Sequence, residues 1–252
     1  MEFLYNGITA FRGSSDAFPE NTMAAYEEAL SAGADWLQID IRQTADGHFV
    51  ACHDATTGRT ADQDLVIAES TLGDLQALDF SAGFRKQWGL GEEEMPASRI
   101  PLLPDVLALI RQQDATRLSI QPFEGCLSDV AMVVQEMDAD EWVGVNGGDV
   151  RMLLQARQFM SEVPIFYDTG PEPGSPQEEV EVALAGRFNS VVVHRSTADA
   201  ARIRALVGAG FEVGVWTVDD PEEIQALLQL GASRFYTDCP WTSLSVVAEY
   251  YE

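Results

Sequence analysis

The stretch 190-SVVVHRSTADAARIRALVGAGFEVGVWTV-218 decides the fold. It opens on a β-branched run (190–195), passes through a helical pattern (197–209) and closes on a second β-rich run (212–218). Two strands joined by a helix imply a crossover connection and a parallel pair. Working outward, the same alternation recurs. Strand-like runs fall at 5–10, 36–42, 48–54, 117–123, 142–146, 163–168 and 234–238. Helical runs, with apolar residues every three or four positions, fall at 21–32, 71–78, 102–113, 127–137, 149–160, 176–185 and 221–230. About eight such units in 252 residues predict a TIM (β/α)8 barrel rather than an open sheet.

Local signals agree. Asn21 or Thr22 caps the first helix and Gly33 ends it. Around 221–230, Asp220 is the cap, Pro221 sits in the first turn and Gly231 is the terminator. The segment 55–100, with its "TTGRTADQD" and acidic "GLGEEEMPAS", breaks the rhythm and reads as an insertion after the second strand, within one domain spanning 1–252. Neither a Gly-x-Gly-x-x-Gly turn nor a Walker loop is present, which weighs against a nucleotide-binding sheet.

Composition narrows the classes of function. Hydrophobic residues make up 46% of the chain, so it can bury a core. Forty-one acidic residues against 15 basic ones give a net charge of −26, with Lys86 the single lysine. So negative a surface repels nucleic acid and anionic headgroups. No apolar run reaches the roughly 18 residues a bilayer crossing needs, so membrane insertion is not expected either. Cys52, Cys126 and Cys239 are scattered without a C-x-x-C pair, which fits free thiols and, with no secretory pattern at the N-terminus, a cytoplasmic location.

In a barrel of this kind, chemistry gathers at the C-terminal ends of the strands. Polar residues predicted there are Arg12, Gln38, Asp40, His53, Asp54 and Gln121, followed by Asn146, Asp168, His194, Thr217 and Asp238. Residues two apart on a strand share a face, so Gln38 points with Asp40, and Gln121 with Phe123.

"FRG…PENTMAAYEEALSAGADWLQIDIRQTADGHFVACHD", with "IPLLPDVL", "GVWTVDD" and "YTDCP" later, resembles the glycerophosphodiester phosphodiesterase family along nearly the whole chain. The resemblance implies a TIM barrel with a small insertion after its second strand. It also implies phosphodiester hydrolysis by two histidines and a calcium or magnesium ion, held by two glutamates and an aspartate. Carried over, Arg12, Asp40 and His53 are kept, but Phe11 stands where the first catalytic histidine is expected. Gln38 and Gln121 stand for the two metal-binding glutamates, and Phe123 for a lysine.

A glutamine keeps the shape of a glutamate without its charge, and hard divalent ions require anionic oxygens. Metal binding is therefore expected to be weak or absent. With His53 as the residual proton-transfer group, metal-dependent hydrolysis is expected to be impaired. The expected partner is a small ligand, anionic or phosphate-bearing, held in the inherited cleft by Arg12, Asp40, Gln38, Gln121, Phe123 and Trp216. The alternative is an active phosphodiesterase of glycerophospholipid metabolism, rewired around His53, Asp40 and Arg12. Several roles stay open on the sequence: His53 as a packing residue, Arg12 as a phosphate clamp or as a partner of Asp40, Trp216 as a ligand platform or as core. His194 reads as structural and His48 as a solvated turn residue.

Overall fold

In the computed structural model, which describes residues 7–123 and 127–251, eight parallel strands close into a barrel. In chain order the elements begin with β1 (Gly7–Phe11), α1 (Met23–Ala32), β2 (Trp36–Gln43), β3 (Phe49–Ala51), α2 (Leu72–Gln76), α3 (Ala82–Trp88), α4 (Leu103–Ile110) and β4 (Arg117–Pro122). They continue with α5 (Leu127–Glu136), β5 (Val143–Gly147), α6 (Val150–Phe159), β6 (Ile165–Asp168), α7 (Pro176–Gly186) and β7 (Ser190–His194). The chain then finishes with α8 (Ala200–Gly208), β8 (Glu212–Trp216), α9 (Pro221–Leu230), β9 (Arg234–Thr237) and α10 (Pro240–Tyr251). Closure is made by β1, which pairs in parallel with both β2 (Phe11↔Gln38) and β9 (Ala10↔Thr237).

One expectation needs correction. The run 48–54 forms only the short β3, and it is not a barrel strand. It folds back antiparallel on the end of β2, pairing Ile41 with Ala51 and Gln43 with Phe49. Its apolar residues read as one more parallel strand, but "TADGH" between the two is a tight turn and cannot hold a crossover helix. The cap of α1 is Thr22, whose hydroxyl accepts from the Ala25 N–H at 3.3 Å; Asn21 stands outside the helix at φ 54° and serves the barrel mouth instead. The first two residues of the expected strand 5–10, and Cys126, lie outside the described residues.

Most of the core lies between the barrel wall and the helices, where Leu37, Ile39, Leu118, Val145 and Val213 meet Leu107, Val134, Leu153 and Leu206, all wholly buried. Inside the barrel the packing is aromatic. Trp36 and Phe166 stack edge to face at 5.1 Å, and the Arg234 guanidinium lies 3.9 Å from the Phe166 centroid and 4.6 Å from that of Trp36. Glycine at 144 is required here, because a Cβ would come within 2.6 Å of the Phe166 ring. The insertion builds a satellite core of its own from Ile67, Leu75, Leu78, Phe80 and Ile100, joined to the barrel through Val50 and Cys52.

Candidate active site

The mouth of the barrel is formed where β1, β2 and β4 to β9 end. Arg12 leaves β1 in the left-handed region at φ 62°, and Gly13 follows at φ 90°. That turn brings the Arg12 side chain back over the mouth. A Cβ at Gly13 would lie 2.6 Å from the Ala25 Cβ and 2.7 Å from its carbonyl carbon, so only glycine lets α1 pack this close.

Asp40, on β2, is wholly buried, and protein donors engage both of its oxygens. Gln38 Nε2 donates to Oδ1 at 2.8 Å. The other oxygen takes Asn21 Nδ2 at 3.1 Å and pairs with Arg12 Nε at 2.9 Å. Gln38 is equally committed. Its Nε2 also reaches Gln121 Oε1 at 3.4 Å, while its Oε1 accepts the Arg12 backbone N–H at 3.1 Å. Gln121 in turn accepts from Asn146 Nδ2 at 2.7 Å, and the Ser119 hydroxyl donates to Asn146 Oδ1 at 3.0 Å. Behind Asp40, the Tyr26 hydroxyl donates to Asn21 Oδ1 at 2.8 Å. The result is a chain of side-chain hydrogen bonds across β2, β4, β5 and α1.

This donor set does not fit a hard divalent cation. At position 38 the group facing Asp40 is an N–H donor, opposite in polarity to a metal ligand, and its carbonyl oxygen is already taken by a backbone amide. Arg12 supplies Asp40 with the positive charge an ion would bring. Among the described residues, no three His, Cys, Asp or Glu side chains gather in a metal-binding group.

A second network covers the side nearest the insertion. Glu20 bridges Arg12 (2.9 Å) and Arg59 (2.5 Å), and Arg59 reaches Asp54 at 2.6 Å. Asp54 in turn holds His53 Nδ1 at 2.7 Å. Burial pushes the Asp54 carboxyl up, but the hydrogen bonds and charges of Arg59 and His53 outweigh it and leave it at about 2. Glu20 is lowered too, with the two arginines overcoming its burial.

Phe11 sits partly buried at the mouth, its ring 6.2 Å from Trp216 and 6.4 Å from Tyr236, with the Arg12 guanidinium 4.6 Å above it. Trp216 is thus a wall of the mouth, its other neighbour being the His194 ring at 4.7 Å. His194 Nδ1 is tied to the Ser196 hydroxyl at 2.7 Å, a local structural contact. Phe123 is not brought into the mouth. It lies on the rim, 36% exposed, edge-on to His53 at 4.9 Å and under the Arg42 guanidinium. His48 is exposed.

Between these residues a pocket of about 50 Å³ opens, lined by Phe11, Arg12, His53, Gln121, Asp168 and Trp216 among others. A larger cleft of about 190 Å³ runs from Phe11 and Arg12 toward Phe80 and Phe84 of the insertion. The Glu20–Arg59 link and the Asn21–Asp40 contact were invisible in the sequence. Arg59 lies in the irregular insertion, and Asn21 looked like a helix cap.

The Glycerophosphoryl diester phosphodiesterase family pattern matches residues 12–242. The chain belongs to this family. A glycerophosphodiester phosphodiesterase from Caldanaerobacter subterraneus subsp. tengcongensis is 26% identical over 248 residues, covering 95% of this chain and 97% of that protein. Among solved structures, a phosphodiesterase from Oleispira antarctica in complex with its product sn-glycerol-3-phosphate superposes with a TM-score of 0.82. It is 25% identical and covers 96% of each chain. The glycerophosphodiester phosphodiesterase from Agrobacterium tumefaciens shares the fold at a TM-score of 0.80 and 20% identity, over 95% of this chain and 99% of that one. The family match runs through the residues that form the barrel mouth, Phe11 standing one position before it begins.

Proposed function

We propose that this family member does not carry out metal-dependent phosphodiester hydrolysis, and that its barrel mouth serves as a binding site for a small molecule. One observation carries the reading: Asp40 has both oxygens bonded to Arg12, Asn21 and Gln38. The position that a divalent ion would need is filled by the protein's own cation and amides. Phe11 removes one of the two proton-transfer groups that the family resemblance implies, and general acid–base catalysis typically contributes about 10²–10⁴-fold.

The product held by the Oleispira protein supports a small-molecule occupant for this cleft. A phosphate-bearing ligand would meet Arg12 only by drawing it off Asp40 or Glu20, and Arg59 only by drawing it off Glu20 or Asp54. A second reading, hydrolysis through a rewired site, is favoured by one contact, the 2.7 Å bond that orients His53 on Asp54.

The test pairs two measurements. Magnesium or calcium at millimolar concentration should raise the melting temperature no more than a monovalent salt of matched ionic strength, since a −26 protein gains from any counterion. Glycerophosphodiesters should show no turnover with or without metal. Turnover that His53→Ala abolishes would establish the rewired enzyme instead.

A further inference from the structure

At the mouth, Arg12 and Arg59 are matched by the carboxylates of Asp40, Glu20 and Asp54, whereas the carboxylate of the inner pocket lies apart from them. Asp168, at the end of β6, makes no ion pair among the described residues; its Oδ1 accepts the Gly170 N–H at 3.0 Å. Beside it stand Trp216, Phe11 and Tyr236. The Phe11 ring is tilted 40° to Trp216 and 78° to Tyr236, so the three rings turn their surfaces around a corner rather than stacking shut. Aromatic faces attract cations, and the effect grows where water is excluded. The Arg12 guanidinium over Phe11 is an instance of this attraction already in place. A histidine at position 11 would carry a proton at mildly acidic pH and repel a cation; phenylalanine offers only its ring.

We infer that the pocket between Phe11, Asp168, Trp216 and Tyr236 binds a small organic ammonium. The inference rests on the metal-free reading of the mouth. The charge polarity supports it: an anion would meet the Asp168 carboxylate, whereas an ammonium would give Asp168 the ion-pair partner it lacks among the described residues.

The probes are ethylammonium and tetramethylammonium chloride, compared by calorimetry with ethanol and tert-butanol at matched ionic strength. The ammonium ions should bind at least about tenfold tighter than the alcohols. Asp168→Asn, which keeps the side-chain shape, should remove that preference, and Trp216→Phe should reduce it while keeping a ring in place. Burial pushes the Asp168 carboxyl up to about 6, against the opposing pull of the Gly170 and Trp216 N–H groups. Affinity should therefore fall as pH drops from 7 to 5.

Arg12, His53, His194 and Tyr236 also stand near this pocket, and protonation of a histidine would weaken a cation in the same direction. The Asp168→Asn profile separates the two, because the wild-type pH dependence should vanish in it. Equal binding of alcohol and ammonium, a pH profile that survives in Asp168→Asn, or equal affinity for sn-glycerol-3-phosphate would overturn the inference. Saturable magnesium binding that displaces the ammonium would sink the metal-free reading with it. Failure of the ammonium alone leaves that reading standing.

Discussion

At the scale of the residue, Gln38 shows how completely one uncharged atom group can redirect a site. Its amide N–H groups bind Asp40 and Gln121, and its carbonyl oxygen receives the backbone of Arg12. Gln38→Glu would place a second carboxylate 2.8 Å from a wholly buried one. Like charges that close cannot both ionise without a counter-ion, so the new carboxyl should hold its proton well above the usual range. The variant should be less stable than wild type by about 1–3 kcal/mol at pH 8, with the gap narrowing at pH 5, as read from denaturant midpoints. Equal stability at both pH values would show that the glutamine donor contributes nothing.

The same residue marks the limit of reading the sequence. Its identity announced a lost charge, but not that its N–H would point at Asp40. The contact of Arg12 with Asp40, one of the two roles left open for it, depends on the left-handed turn that swings it inward, which its identity did not announce.

At the scale of the element, the barrel strands were legible because each carries a compact β-branched or aromatic run between helical patterns, and all eight fall within a residue or two of their expected limits where described. Two helices were missed for identifiable reasons. The buried face of α10 is Pro240, Ser243 and Val246, of which only valine gives an apolar signal. Within α3 no residue is fully buried, and glycine at 83 is there because a Cβ would strike the Arg59 carbonyl at 2.1 Å. Phe123 was misplaced because the strand alternation that pairs it with Gln121 stops at Pro122.

The turn between β1 and α1 gives a direct test of how the mouth is held. Gly13→Ala adds a methyl group 2.6 Å from Ala25 at a positive φ, so it should destabilise the fold by about 2 kcal/mol or more. It should also loosen the Arg12–Asp40 pair. Urea denaturation measures the loss, and a neutral outcome would mean that α1 can move away from the turn.

At the scale of the whole molecule, electrostatics favour mild acidity. Burial pushes Glu212 up to about 7 despite the nearby Arg234, and holds Asp238 at about 6 against the Ser15 hydrogen bond, while Asp168 is also at about 6. A carboxyl whose folded value is raised binds its proton more tightly when folded. Its stabilisation is complete below the unfolded value near 4, and is lost as pH rises through the folded one. Asp54 acts in the opposite sense, but its contribution is lost only as pH falls from about 3.8 toward 2. The net charge of −26 adds self-repulsion that grows over the same range. The melting temperature at constant ionic strength should therefore be higher at pH 5 than at pH 7.5, with Glu212→Gln flattening the slope. A rise toward alkaline pH would contradict this.

The side-chain bonds that run from Ser119 through Asn146, Gln121 and Gln38 to Asp40 and Asn21 have a further consequence, for motion. Ligand-binding rims usually belong to the least protected parts of a fold, opening and closing far below the global unfolding energy. Here the ends of β2, β4 and β5 and the start of α1 are laced to one another by short contacts. That arc of the mouth is stiff and presents a fixed wall. The opposite arc, where β6, β7 and β8 end in Asp168, His194 and Trp216, is held among the described residues by ring contacts and local bonds rather than by such a chain, and is the arc expected to breathe. Amide hydrogen exchange should divide the rim along that line, with the ends of β6, β7 and β8 exchanging faster than those of β2, β4 and β5.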